Sequence, residues 1–252
     1  MDRLTLPGPP RRIRPPMSTA VAPRKFEASG DLEAHAPTSV VRDLLALTKP
    51  RITLMVLLTA AGGMWLEGVA VSWGKLVATL VGMSLIVGAA NSFNCWLERD
   101  LDRLMARTKN RPLPAGRLAP RTAVMFGAAL AALALPVLYF GVNPLTGVLG
   151  AAAFGSYVAI YTPLKTLSPA ALLVGAVPGA LPPLMGSAAA SGRITAEGLL
   201  LFGLLFLWQL PHSIAIASFR KAEYEAAGMR VLPAVRGDRV ARLHAAFWAL
   251  LL

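Results

Sequence analysis

The 252-residue chain carries 25 Lys and Arg against 13 Asp and Glu, a formal net charge of +12, yet only 15% of its residues are charged and 55% are hydrophobic. With a mean hydropathy of +0.57 these proportions exclude an ordinary soluble domain and point to a polytopic membrane protein. The cations fall in short segments between apolar spans, which argues for the positive-inside rule and against nucleic acid, and the lone Cys95 excludes an intramolecular disulfide and a Cys-x-x-Cys metal site.

Residues 1–42 are rich in Pro, Arg and Ala, hold no apolar run of signal-peptide length and read as a disordered basic tail, with Met17 as an alternative start. Arg11, Arg12 and Arg14 hint at a transit peptide, but the prolines beside them oppose the amphipathic helix it needs. Residues 43–252 read as the transmembrane domain. Segments long enough to cross a hydrocarbon core of roughly 30 Å lie near residues 52–72, 76–97, 121–140, 144–162, 168–190 and 196–218. A seventh begins near Val240 and is cut off at Leu252. The expectation is an all-α polytopic bundle of six complete spans plus the start of a seventh, C-terminally incomplete. Alternation of basic and neutral loops places the tail, residues 91–117 and residues 220–242 on the cytoplasmic side.

Lys49-Pro50-Arg51, just before the first span, is either a topogenic charge pair or part of an anion-binding rim. At the end of the second span, Asn91, Asn94, Glu98 and Asp102 fall within a helical stripe about 80° wide, whereas Asp100 points to the opposite side. Hard oxygens gathered in register can bridge Mg²⁺ to a diphosphate. The blander alternative is a solvated helix end with carboxylates paired to Arg99, Arg103 and Arg107. Pro112 and Pro114 then stop the helix, leaving Arg107, Thr108 and Arg111 to curl over whatever the acids bind, in a geometry suited to phosphate oxygens.

Tyr161-Thr162-Pro163-Leu164-Lys165 reads as a loop after the fourth span, and from this segment alone a snorkelling lysine explains Lys165. The fifth span holds three prolines and three glycines between residues 175 and 186, which predicts a kinked helix with room for a bulky ligand. At the end of the sixth, a helix continuing past Pro211 would put Gln209, His212, Arg220 and Glu223 on one face, although His212 is as consistent with a structural histidine as with a ligand.

Together these strings resemble the intramembrane aromatic prenyltransferase superfamily, most closely its protohaem IX farnesyltransferase (haem O synthase) branch. The match covers roughly residues 45–236, opened by Leu47-Thr48-Lys49-Pro50-Arg51, and is most specific at residues 94–114, 161–165, 174–186, 206–212 and 223–228. The resemblance implies about nine helices around a central cavity. It implies farnesyl diphosphate bound through Mg²⁺ held by Asn94, Glu98 and Asp102 as the catalytic set. Substrate contacts would come from Lys49, Arg51, Arg107, Arg111, Tyr161, Lys165, Gln209, His212, Arg220, Glu223 and Tyr224. Protohaem IX is the implied acceptor and substrate, with water added to the product. The implied setting is the bacterial inner membrane, in preference to the mitochondrial one, with active-site loops cytoplasmic and haem-copper oxidase assembly or haem A synthase as partners. Glu98 and Glu223 stand where the family usually has Asp, and Arg230-Val231 where it commonly has Pro-Met. Glutamate keeps the charge and reaches one methylene further, which moves the expected ion position. The rival readings are a prenyltransferase acting on a quinone precursor and a non-catalytic haem- or lipid-binding assembly factor.

Overall fold

A computed structural model describes residues 39–252, and among these every regular element is helical. The expected tail lies outside the described residues up to position 38. Its last residues, from Val40, already belong to helix α1 (Val40–Leu47), which Ser39 opens by accepting the Arg42 N–H at 3.3 Å. Pro50 then begins α2 (Pro50–Leu66), its missing N–H harmless at a helix start. The proline ring disfavours helical continuation through the residue before it, and the chain turns 46° there with Lys49 in the left-handed region at φ 51°, ψ 67°. Such a conformation costs a residue with a Cβ about 1–2 kcal/mol.

The order continues with α3 (Trp73–Leu97), α4 (Arg99–Leu104), α5 (Pro120–Phe140), α6 (Pro144–Gly155), a π-helical turn (Ser156–Tyr161) and α7 (Thr162–Leu167). It ends with α8 (Ala171–Ser191), α9 (Ala196–Phe219), α10 (Lys221–Ala226), α11 (Leu232–Arg236) and α12 (Asp238–Leu251). Local signals set the starts: Ser72, Asn143 and Thr195 each accept a backbone N–H three residues on, and Pro120 and Pro144 occupy first helical positions. Among the described residues five helices are long and apolar enough to cross a membrane, six if the bent α1–α2 pair is one span. The α6–π–α7 run forms a single span, Pro144–Leu167, so the expected loop at residues 161–165 is helical instead. The cause is visible in the sequence. Pro163 removes one i→i−4 bond and its ring crowds the carbonyl four residues back, and the wider π turn just before it accommodates both.

Helix α8 sits innermost: 67% of its apolar window is buried, against 11% for α9, whose large side chains face outward. Between apolar helices in lipid, close backbone approach replaces the hydrophobic drive of water, and small residues permit it. A Cβ on Gly63 would strike the Pro183 backbone, and one on Gly186 would strike the Ala60 carbonyl, so α2 and α8 touch main chain to main chain. Despite Pro178, Pro182 and Pro183, α8 runs through all 21 of its residues without a break. At one end of the bundle the Ser187 and Thr195 hydroxyls donate to Glu67 Oε1, and exposed Trp65 and Trp73 mark an interfacial belt. The other end gathers α1, the C-termini of α3 and α9, α4, α7 and the N-terminus of α8.

Candidate active site

The floor is built on the junction of α3 and α4. Helix α3 ends at Leu97 and Glu98 caps both helices at φ −93°, ψ 4°, so the uninterrupted helix expected here is broken at one residue. The register survives the break, because Glu98 N–H donates to the Asn94 carbonyl at 2.9 Å and Asp102 N–H to the Glu98 carbonyl at 2.8 Å. Asn94, Glu98 and Asp102 are accordingly 1%, 6% and 1% exposed, whereas the Asp100 side chain is 65% exposed between Arg99 and Arg103.

Each of the three floor groups meets a cation from a different part of the chain. Lys49 Nζ donates to Asn94 Oδ1 at 2.8 Å, Lys165 Nζ to Glu98 Oε1 at 2.6 Å, and Arg111 to Asp102 Oδ2 at 2.8 Å. The strained Lys49 is what aims that side chain inward, and Asn91 steadies the turn by donating to the Thr48 carbonyl at 3.2 Å. The Asn94 amide also donates to Thr162 Oγ1 at 3.4 Å, tying the floor to the π turn. Lys165 does not snorkel: its ammonium lies 4.4 Å from the centroid of the Tyr161 ring and on the Glu98 carboxylate. Thr108, fully buried, donates to the Asp102 carbonyl and folds the 105–118 loop over the floor.

Lys49, Asn94, Glu98, Asp102, Arg111, Tyr161 and Lys165 line one cavity of about 360 Å³, together with Arg107, Tyr157, Tyr224 and Arg230. Five cationic side chains face two carboxylates there, a surplus of three positive charges. Ile52, Tyr157 and Tyr161 also line a second, apolar chamber of about 230 Å³ that runs between Val56, Met83, Phe154, Pro182 and Met185. A polar head chamber thus adjoins an apolar one, with Ile52 and two tyrosines forming the shared wall. The glycine at 175 is required there, since a Cβ would enter the Tyr161 ring.

Other expected site residues lie elsewhere. Arg51 is exposed and outside the cavity lining, because the turn at Lys49 sends the two basic neighbours in different directions. Gln209, His212, Arg220 and Glu223 do not share one face. Gln209 enters the apolar chamber, packed on Gly179, while His212 stacks on Trp208 at 4.7 Å and joins Arg107, Arg220 and Tyr224 in an open outer groove. Gln209 and His212, three residues apart on α9, lie roughly 60° apart around its axis, and α9 ends at Phe219, so the helical repeat does not carry through Arg220 to Glu223 in α10. Glu223 pairs with Arg220 at 3.2 Å and accepts the Arg107 N–H at 3.4 Å, holding the rim without lining the cavity. Tyr157 and Arg230 were not among the expected residues. Arg230 is placed by its N–H donating to the Lys165 carbonyl at 3.0 Å, a contact 65 positions distant that no local pattern reveals.

The profile of the UbiA prenyltransferase family matches residues 56–252. The chain belongs to that family. Among curated relatives, this UbiA-family chain is 52% identical over 209 residues to the protoheme IX farnesyltransferase of Myxococcus xanthus, covering 83% of this chain and 71% of that one. It is 47% identical over 219 residues to the protoheme IX farnesyltransferase of Anaeromyxobacter dehalogenans, covering 87% and 74%. The fold matches a UbiA homologue from Archaeoglobus fulgidus bound to GPP and Mg²⁺ with a TM-score of 0.70 at 21% identity, over 83% of this chain and 74% of that one. It is a multi-pass membrane prenyltransferase fold.

The donor set suits magnesium in one particular way. Among the described residues no cluster of three or more His, Cys, Asp or Glu side chains could hold a metal unaided. Asn94, Glu98 and Asp102 offer hard oxygens on a single wall, and Mg²⁺ is commonly held by one or two carboxylates completed by phosphate oxygens and water. The residues therefore fit an ion that arrives with a diphosphate.

Proposed function

We propose that this chain transfers the farnesyl group of farnesyl diphosphate to a vinyl group of protohaem IX, with addition of water, giving haem O and diphosphate. The observation that carries this reading is the cation-rich head chamber adjoining an apolar chamber across a shared wall, in a chain 52% identical to a protoheme IX farnesyltransferase. Lys49, Arg107, Arg111, Lys165 and Arg230 bind and neutralise the diphosphate, with guanidinium forks matching its oxygens. Asn94, Glu98 and Asp102 would hold Mg²⁺, which supplies Lewis-acid stabilisation of the departing diphosphate.

The prenyl tail lies in the apolar chamber, whose aliphatic walls keep water from the allylic carbon as its bond to oxygen breaks. Tyr157 and Tyr161 stand at the junction where that positive charge develops, and their ring faces attract it. The terminal vinyl carbon bonds to the allylic carbon, and the charge left on the inner vinyl carbon is quenched by water, which releases one proton. The outer groove carrying His212 and Arg220 is the acceptor side of this reading, with an imidazole for the haem iron and a guanidinium for a haem carboxylate. The proposed setting is a bacterial inner membrane, head chamber towards the cytoplasm, supplying haem-copper oxidase assembly or haem A synthase.

Incubating membranes with farnesyl diphosphate, Mg²⁺ and either haem or 4-hydroxybenzoate, followed by product mass, tests the proposal. A hydroxyethylfarnesyl porphyrin supports it. A prenylated benzoate alone transfers the function to quinone-type acceptors, and no product from either leaves a non-catalytic binder.

A further inference from the structure

We infer that Asp43 and Arg117 are a positioning pair that presets the cations on two flanks of the diphosphate site; the inference rests on the diphosphate-binding reading above. Asp43 lies on α1 and is 4% exposed. Arg117 sits 74 residues later at the end of the loop that roofs the floor, and its Nε reaches both Asp43 carboxylate oxygens at 3.1 Å while a terminal nitrogen reaches Oδ1, also at 3.1 Å. The other terminal nitrogen donates to the Asn110 carbonyl at 3.1 Å. All three guanidinium nitrogens are thus engaged, and none points into the cavity.

What the pair joins gives it a role. Asn110 directly precedes Arg111, the partner of Asp102, so the Arg117 fork grips the roof loop one residue from a diphosphate-facing cation. At its other end, Asp43 holds the short helix that leads into the strained Lys49 turn, one helical turn before Leu47, which shares a buried apolar cluster with Leu113 and Leu118. Lys49 and Arg111 meet Asn94 and Asp102 from opposite ends of the floor. A planar fork bound at three nitrogens fixes both segments in a way a lysine's single point charge does not. Fixing them in advance removes ordering cost from substrate binding.

The experiment measures binding of inorganic diphosphate with Mg²⁺ to the full chain in detergent, beside KM for farnesyl diphosphate, KM for haem and thermal midpoint. Variants are Asp43→Asn, Arg117→Lys and their combination, with Glu67→Gln as a reference that loosens the polar cluster at the far end of the bundle. Each single variant is expected to weaken diphosphate affinity about tenfold or more, since small misplacements far from the chemistry carry costs of that order, and the double variant no further. KM for farnesyl diphosphate should rise in parallel while KM for haem holds. Glu67→Gln should lower the midpoint without touching diphosphate affinity. Unchanged diphosphate affinity in both single variants, or a loss that merely tracks the midpoint as in Glu67→Gln, overturns the pair's role. Failure of the unaltered chain to bind diphosphate overturns the reading beneath it as well.

Discussion

Replacing Asp102 by Asn keeps the side chain's size and removes one negative charge from a position that is 1% exposed. In the folded protein that carboxylate accepts from Arg111 at 2.8 Å, and its partner is only 27% exposed. Losing the charge leaves a guanidinium facing an amide in a cavity that already holds more cations than acids. Breaking one side of a buried pair costs about 3–5 kcal/mol when nothing compensates, but here the amide oxygen still accepts, and the expected loss of stability is about 1–3 kcal/mol. The catalytic loss is larger in consequence. A preorganised charge aimed at the reacting group contributes about 2.7–4 kcal/mol, or a hundred- to a thousandfold in rate. Asp102→Asn should therefore insert normally and lose at least a hundredfold in farnesyl transfer, while Asp100→Asn, at a side chain 65% exposed, stays within a factor of about two. The assay is initial rate in membranes across a Mg²⁺ titration, with protein quantified by immunoblot. Full activity of Asp102→Asn at limiting Mg²⁺ would refute the metal assignment, and equal losses in the two variants would refute the face assignment.

Three further outcomes are expected. Glu98→Gln should also abolish transfer, because it removes the second floor carboxylate and unpairs Lys165, and radiolabelled product formation checks it. Gly186→Ala should destabilise by about 1–3 kcal/mol, since its Cβ meets a main-chain carbonyl that cannot give way, whereas Gly62→Ala, with open space around it, should not; thermal midpoints in detergent compare the two. His212→Ala should weaken haem binding while leaving farnesyl diphosphate affinity unchanged, as the imidazole is exposed in the outer groove and stacked on Trp208; an unaltered haem absorption titration would remove it as a ligand.

The floor of the candidate site was legible in the sequence because it is local. Asn94, Glu98 and Asp102 fall four residues apart, and the same i→i−4 bonds that define the helix carry their alignment across a break that the sequence did not announce. The roof cations were legible as a group but not by partner. Lys165 was indistinguishable from a snorkelling lysine because its identity depends on Glu98, 67 positions away, and on a π turn whose only local trace is Pro163. The shared face of residues 209–223 failed because helical periodicity was extended past Arg220, where α9 ends and α10 begins, and Arg51 was placed by the resemblance and not by a local pattern.

What the sequence by itself determined is therefore the set of apolar spans, their caps and the in-register acids, all of which follow from hydropathy and the 3.6-residue repeat within one helix. Only the tertiary structure decided which cation meets which acid, where the apolar chamber lies, and that Asp43 and Arg117 join α1 to the roof loop. Those features depend on the directions in which separate helices leave their turns and, the Arg111–Asp102 pair nine positions apart excepted, on contacts between residues 45 to 74 positions apart, for which no periodic pattern along the chain exists.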